Sequence, residues 1–380
     1  MKLTGIRVLD LSSFLPGPYL TLALADHGAE VIKIEAPGMG DPGRHIGPRD
    51  GDTTVFFRNL NRGKKSVVLD LKSEAGKQTL LALCESADVF VESFRPGVMK
   101  RLGIDYEQVR ARNPRIVYCS VSAFGQTGPY AARPAHDIAI EALSGVLSVT
   151  LGADGQPAMP GVPVADLLAG LQGLSGVLMA LLAREKTGVG DFIDIGMHDA
   201  MLAGCLNILG PAIAEGAQPE ARYQRTTGGS ALYRIYRTAD GRHVCMAGQE
   251  PKFVEALLGH LGRRDLCELC SSGPGPHQQP VIDFLAGIFL TKTAAQWDTS
   301  LSELDICYGV LKTLPEALDD EHAVERGMVV KDSEGLTHIA PPIRFANQPA
   351  RPDFRVAQLG EHTEQIAATD PTPARDATNR

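Results

Sequence analysis

The 380-residue chain carries 45 acidic and 37 basic side chains, a formal net charge of −8, with 44% hydrophobic and 22% charged residues. That balance is ordinary for a soluble globular protein and leaves room for two domains with cores of their own. It excludes the basic excess that a nucleic-acid backbone demands, so no nucleic-acid partner is expected, although local cations could still meet a small phosphorylated ligand.

Residues 6 to 35 predict a strand, a tight turn, a helix and a strand: IRVLDLS, the turn Pro16-Gly17-Pro18, a helix through Leu20 and Leu22 to Ala25, then AEVIKIE. Such a crossover implies a parallel sheet. The pattern recurs with SVVLDL at 66–71, a helix from Ser73 to about Cys84, and ADVFVE at 87–92. A helical stretch, VMKRLGI and DYEQVRARN, then leads to the strand RIVYCSVS at 115–122. The fold class is α/β. Neither G-x-G-x-x-G nor G-x-x-x-x-G-K-[ST] occurs, which removes the usual signals for a nicotinamide dinucleotide and a nucleoside triphosphate. Ligands of such sheets bind beyond the carboxyl ends of the strands. The cations there are Arg44, Arg58, Arg62, Lys64, Lys65, Lys72, Arg95 and Arg101, and they read either as a phosphate-holding group or as a solvated surface.

Between Arg133 and Arg184 the chain runs RPAHDIAIEALSG, a Gly- and Pro-rich loop, then PVADLLAGLQGLSGVLMALLAR. The apolar spacing from Leu167 to Leu182 predicts a long helix with Asp166 in its first turn and Pro163 just upstream. Gly170, Gln172, Gly173, Ser175 and Gly176 interrupt its apolar surface, which argues for burial in protein rather than lipid. Asp166 is expected to cap this helix, contributing about 1 kcal/mol. It could also serve as a chemical group, because free backbone N–H donors at a helix mouth can hold an oxyanion. His136, beside Asp137, is the nearest candidate base, and a lone histidine needs a supporting partner before it is more than structural.

Downstream, KTGVGDFIDIGMHDAML predicts a turn, a short strand and a helix whose His198-Asp199 start reads as a cap. Residues 216–231 have linker composition, with Gly228-Gly229 as a flexible pair. ALYRIYR, the turn Ala239-Asp240-Gly241 and RHVCMAG predict a hairpin, followed by Glu250 at the start of the helix KFVEALLGHL. Short strands are expected again around 327–353, with PPIRF among them, and the polar, Pro-rich end reads as a frayed tail. Seven scattered cysteines, an odd count, suit a reducing compartment. Cys267 and Cys270 form a single C-x-x-C without a second pair, so no metal site is expected. The N-terminal MKLTGIRVLDLSS has no apolar stretch of signal-peptide length, and a cytoplasmic location with no membrane partner follows as the expectation.

Several ordered stretches carry a resemblance over almost the full length: GIRVLDLSSFLPGPYLTLALADHGAEVIKIE, NRGKKSVVLDLKS, ADVFVESFRPGVMKRLGI, SAFGQTGPY, PVADLLAG, REKTGVGDFIDIGMHDA and LGEHTEQI. The chain resembles the family III CoA-transferase superfamily, which holds CoA-transferases and α-methylacyl-CoA racemases. The resemblance implies a Rossmann-like parallel-sheet large domain plus a smaller α+β domain, in an interlocked homodimer. The corresponding division is 1–190 with 327–365 for the large CoA-binding domain, 191–231 for a linker helix and loop, 232–326 for the small domain, and 366–380 for a flexible tail. An acyl-CoA thioester is the implied partner, with coenzyme A as part of the substrate and no tightly bound cofactor.

Asp166 matches the catalytic aspartate of both branches: a nucleophile forming an aspartyl intermediate in the transferases, an acid/base group in the racemases. His136 matches the racemase histidine, although AHD stands where racemases have GHD, and Glu250 in QEPKF matches the glutamate that orients that histidine. Asp137 is an alternative orienting group or a cap. Leu15 stands where some transferases have glutamine, which points away from them. PVADLLAG is closer to the transferase wording and Ala36 stands where racemases have arginine, which point the other way. By position, Leu69, Asp70, Leu71, Lys72, Ser93, Phe94, Arg95 and Arg101 match the CoA-contacting segments. The favoured activity is racemisation of a 2-methylacyl-CoA, with backbone N–H groups at the start of the long helix holding the enolate oxygen. The alternative is CoA transfer between an acyl-CoA and a carboxylic acid.

Overall fold

The computed structural model describes residues 1–367 and divides into two compact units: residues 1–144 with 162–204 and 321 onward, and residues 145–161 with 205–320. The first unit is built on six strands, β1 (Arg7–Asp10), β2 (Glu30–Glu35), β3 (Lys65–Val68), β4 (Val89–Glu92), β5 (Val117–Ser122) and β6 (Phe192–Gly196). They pair in the order β3-β2-β1-β4-β5-β6, and every pairing is parallel. The order reverses between β1 and β4, where Val8 lies opposite Val31 on one side and Val89 on the other. Helices cover both faces, so β4 and β5 are buried along their whole length.

The connecting helices are α1 (Pro16–Asp26), α2 (Val55–Asn61), α3 (Glu74–Glu85), α4 (Val98–Leu102), α5 (Tyr106–Arg112), α6 (Asp137–Leu143), α7 (Val164–Thr187) and α8 (Met197–Gly204). Leu80, Leu81 and Cys84 of α3, Met99 of α4 and Val109 of α5 join Leu9, Ile32, Val67, Phe90 and Tyr118 of the strands in one core. The turn expected at Pro16-Gly17-Pro18 is instead the first turn of α1. Proline is pre-organised for that position and loses no needed N–H there. Gly17 is required by a close approach, since a Cβ would stand 2.2 Å from that of Ser12.

α7 is long and apolar enough to cross a bilayer by composition alone, with a third of its most apolar window buried. Gly170 and Gly173, predicted as interruptions, are where α1 comes close: a Cβ on Gly170 would lie 2.8 Å from the Pro16 carbonyl oxygen. The opposite side leaves Leu171, Leu178, Met179 and Leu182 exposed.

The two short strands of the C-terminal part are Val329–Lys331 and Thr337–Ile339, while PPIRF is irregular, because two consecutive prolines cannot donate to a ladder. The chain then runs along the edge of β3, where the Gly360 and His362 amides bond Ser66 and the Val68 amide bonds Thr363. That cover removes an open sheet edge. The helix Thr363–Ala367 follows, with Ile366 buried in the core, and residues 368–380 of the expected tail lie outside the described residues.

In the second unit Tyr233–Arg237 and His243–Ala247 form the predicted hairpin, with Val244 opposite Tyr236, and Tyr308–Val310 adds a third antiparallel strand. Val244, Met246, Leu257, Leu285, Phe289 and Trp297 form its core. The segment 216–231, read from composition as a linker, packs within this unit. Gly229 hydrogen-bonds Gln224 and lies so close to the Tyr223 backbone that a Cβ would stand 2.3 Å from its carbonyl carbon.

Candidate active site

The carboxyl ends of β1, β3, β4 and β5 emerge on one edge of the sheet, and the reversal between β1 and β4 opens a crevice there. The Ser13 amide donates to Ser93 Oγ at 3.1 Å and ties the β1 and β4 loops together. The β3 loop lies three strand spacings from the β4 loop, roughly 14 Å, a span suited to an elongated ligand. Within these loops the matched residues divide. Leu69 is part of the core, and the partly buried Leu71 and Phe94 pack against it. Asp70 Oδ1 accepts the Lys72 amide.

Lys72, Arg95 and Arg101 are exposed and make no ion pair among the described residues. Gly97, at φ +83°, turns the chain between these two arginines. The other five cations do not form a phosphate group. Arg44 pairs with Glu35, Arg58 with Asp50, Arg62 with Asp26, Lys64 with Asp10 and Lys65 with Glu30, all within 3.0 Å. Sequence cannot separate a cation aimed at solvent from one committed to a distant carboxylate.

After β5 a long loop leads to His136, the residue preceding α6, whose side chain makes no capping bond and is exposed. Phe14, on the β1 loop, meets the imidazole edge to face, with ring centroids 5.9 Å apart. Phe14 is held at φ +63°, a left-handed conformation that costs a non-glycine residue about 1–3 kcal/mol and persists only where its surroundings demand it. Nothing in the sequence marks that strain.

Asp166 does not cap α7. Pro163 precedes the first helical residue, and the capping is done from α6: Asp137 Oδ1 accepts the Asp166 amide at 3.0 Å, and Glu141 Oε1 accepts the Val164 amide at 3.3 Å. This leaves the Asp166 carboxyl without a hydrogen-bond partner among the described residues. Burial first, and the neighbouring Asp137 charge second, push it up from 3.8 to about 7. Of the first-turn amides of α7, expected to hold an enolate oxygen, three have partners within the protein. The Val164, Asp166 and Leu167 amides already bond Glu141, Asp137 and the Pro163 carbonyl.

Sequence analysis missed Glu141, whose signal was the D-x-x-x-E spacing from Asp137 on one helix face. It also missed Glu92, at the end of β4, which accepts the Phe94 amide at 2.7 Å and is pushed up to about 7 by burial. Glu250 belongs to the second unit, exposed at the start of the helix Pro251–His260 and making no side-chain cap. Cavities of about 530 Å³ beside Arg44, Arg58 and Asp332, and about 570 Å³ beside Gln249, Cys267 and Cys270, are lined by neither Asp166 nor His136.

What the arrangement can do follows from its parts: a half-buried carboxyl in the first turn of α7 able to carry a proton near neutral pH, an imidazole at the start of α6, which packs against α7, and exposed arginines at the strand ends. The chain is 36% identical over 376 residues to the human alpha-methylacyl-CoA racemase, covering 96% of this chain and 92% of that one. It is 36% identical over 347 residues to the acetyl-CoA:oxalate CoA-transferase of Acetobacter aceti, covering 90% and 88%. It is 31% identical over 373 residues to the succinyl-CoA:glutarate CoA-transferase of Mus musculus, covering 96% and 85%. The crystal structure of a CAIB/BAIF family protein from Brucella suis superposes with a TM-score of 0.82 at 30% identity, covering 96% and 98%. The family described as CoA-transferase family III matches residues 3–363, and the chain belongs to that family of acyl-CoA enzymes.

Proposed function

We propose that the protein is a 2-methylacyl-CoA racemase. The thioester acidifies the α-hydrogen of its substrate, so a proton can be taken from one face of that carbon and returned to the other. Neutral His136 accepts the α-proton and becomes imidazolium, while protonated Asp166 delivers a proton to the opposite face and becomes carboxylate. The reverse turnover exchanges the roles. What supports this reading is the Asp166 carboxyl, which has no hydrogen-bond partner among the described residues and is pushed up to about 7 by burial and the Asp137 charge, because two-base racemisation needs one partner protonated and the other deprotonated at working pH. A carboxylate acting only as a nucleophile gains nothing from being half protonated.

In this reading Asp137 positions the start of α7, and Lys72, Arg95 and Arg101 meet the phosphates of coenzyme A. The backbones of Leu69, Asp70, Leu71, Ser93 and Phe94 line the rest of that ligand. A second copy of the chain covers the exposed Leu171, Leu178, Met179 and Leu182 in a cytoplasmic homodimer, a state that sedimentation tests directly.

The alternative is a CoA-transferase in which Asp166 attacks the thioester and carries CoA through an aspartyl intermediate. Transferases among the relatives support it. A resolved 2-methylacyl-CoA incubated in D₂O separates the two. The racemase incorporates deuterium at the α-carbon with loss of configuration and needs no acid, and His136→Gln slows exchange by about 10²–10⁴-fold. A transferase moves CoA to an added carboxylic acid and leaves the α-hydrogen in place. Asp166→Ala abolishes either reaction, and an active Asp166→Ala enzyme would sink both readings.

A further inference from the structure

Glu141 is fully buried on α6, and its two carboxyl oxygens are served unequally. Oε1 accepts the Val164 amide, whereas Oε2 has no hydrogen-bond partner among the described residues. The Asp137 carboxyl, one turn earlier on the helix, is near enough to this one to act on it. Two adjacent carboxyls out of water cannot both stay ionised, and an orphaned buried oxygen is itself costly. A proton on Glu141 Oε2 resolves both problems, since it removes one charge and turns the orphan into a donor. Burial, and then Asp137, push the Glu141 carboxyl upward in agreement with this.

The charged surroundings offer no competing counter-ion. On α6 the neighbours are His136 and Asp137, and on the facing turn of α7 there is Asp166. On α8, which also packs against α6, His198 and Asp199 approach each other at 3.7 Å. Upstream, Arg133 lies over the Tyr130 ring. Among the described residues no lysine or arginine pairs with Asp137, Glu141 or Asp166.

We propose that Glu141 is a positioning residue: protonated at Oε2, it donates to Asp137, keeps Asp137 the anion that bonds the Asp166 amide, and through that anion keeps a proton on the Asp166 carboxyl. The Glu141 proton stays in place during turnover. The proposal deepens the assignment of Asp166 as the acid/base group and rests on it for its purpose, but its test reads Asp166 without substrate.

The full-length protein labelled with ¹³C at aspartate carboxyls is titrated by NMR, with the Asp166 resonance assigned from Asp166→Asn. In Glu141→Gln the amide still donates to Asp137 and still accepts from Val164, so the Asp166 midpoint stays at its wild-type value. Glu141→Leu removes the donor, and Asp137→Asn removes the anion. Both lower the Asp166 midpoint by about one pH unit, a tenfold weaker hold on the proton. A folded Glu141→Leu protein with an unmoved midpoint overturns the proposal. Should that variant not fold, a Glu141→Gln midpoint that drops as far as that of Asp137→Asn overturns it equally. Shifted midpoints alongside an active Asp166→Ala enzyme would uphold the role of Glu141 and reject the catalytic reading instead.

Discussion

Asp10 and Asp166 are aspartates withdrawn from water in the same unit, and their carboxyls have moved in opposite directions. Burial alone would raise Asp10, but the Lys64 and Lys33 ammoniums and hydrogen bonds from Ser12 and Thr21 outweigh it and carry the carboxyl well below its usual range. Lys64 Nζ is 3.0 Å from Asp10, and Lys33 Nζ reaches Asp41 at 2.8 Å and the Ser12 carbonyl at 2.8 Å. At the junction of α6 and α7 burial is answered by more carboxyls and no cation, and Asp166 rises. Counter-charge, more than burial, decides whether a buried acid braces the fold or remains able to exchange a proton.

The largest effect is expected on the braced side. Asp10→Ala leaves Lys33 and Lys64 buried with an incomplete set of partners, and urea unfolding should show a loss of about 3–5 kcal/mol. A loss below about 1 kcal/mol would erase the distinction between the two clusters.

Asp166→Asn should do the reverse and stabilise the protein, with a pH dependence that identifies the cause. The folded state holds the Asp166 proton up to about 7, while the unfolded chain releases it near 3.8, so wild-type stability falls as pH rises through that window. At pH 8 the asparagine variant should be more stable by roughly 2 kcal/mol, allowing for solvent screening of a half-exposed group. The gap should close as the pH approaches 4, and a gap independent of pH would point to packing instead.

The smallest effect concerns the cations. Arg101→Ala should raise KM for an acyl-CoA about 5- to 10-fold, roughly 1 kcal/mol, and leave the unfolding midpoint unchanged. Arg44→Ala should lower stability with little change in KM, because Arg44 is bound to Glu35 at 2.7 Å. If both substitutions act alike, paired and unpaired cations at the strand ends have not been sorted correctly.

Strand and helix periodicity alone determined the parallel α/β sheet, the long apolar helix and the later hairpin. Hydrophobic spacing records which face of an element is buried, and that information is local. The motif stretches likewise pointed to His136 and Asp166 before any coordinates. The identity of the cap on α7 was beyond that reach, as were the five cations consumed by distant carboxylates, the strained Phe14 against His136, and the orphaned oxygen of Glu141. Each depends on a partner that the chain brings from another element, and the charge of a buried group is fixed by those partners together, not by its own neighbours in sequence.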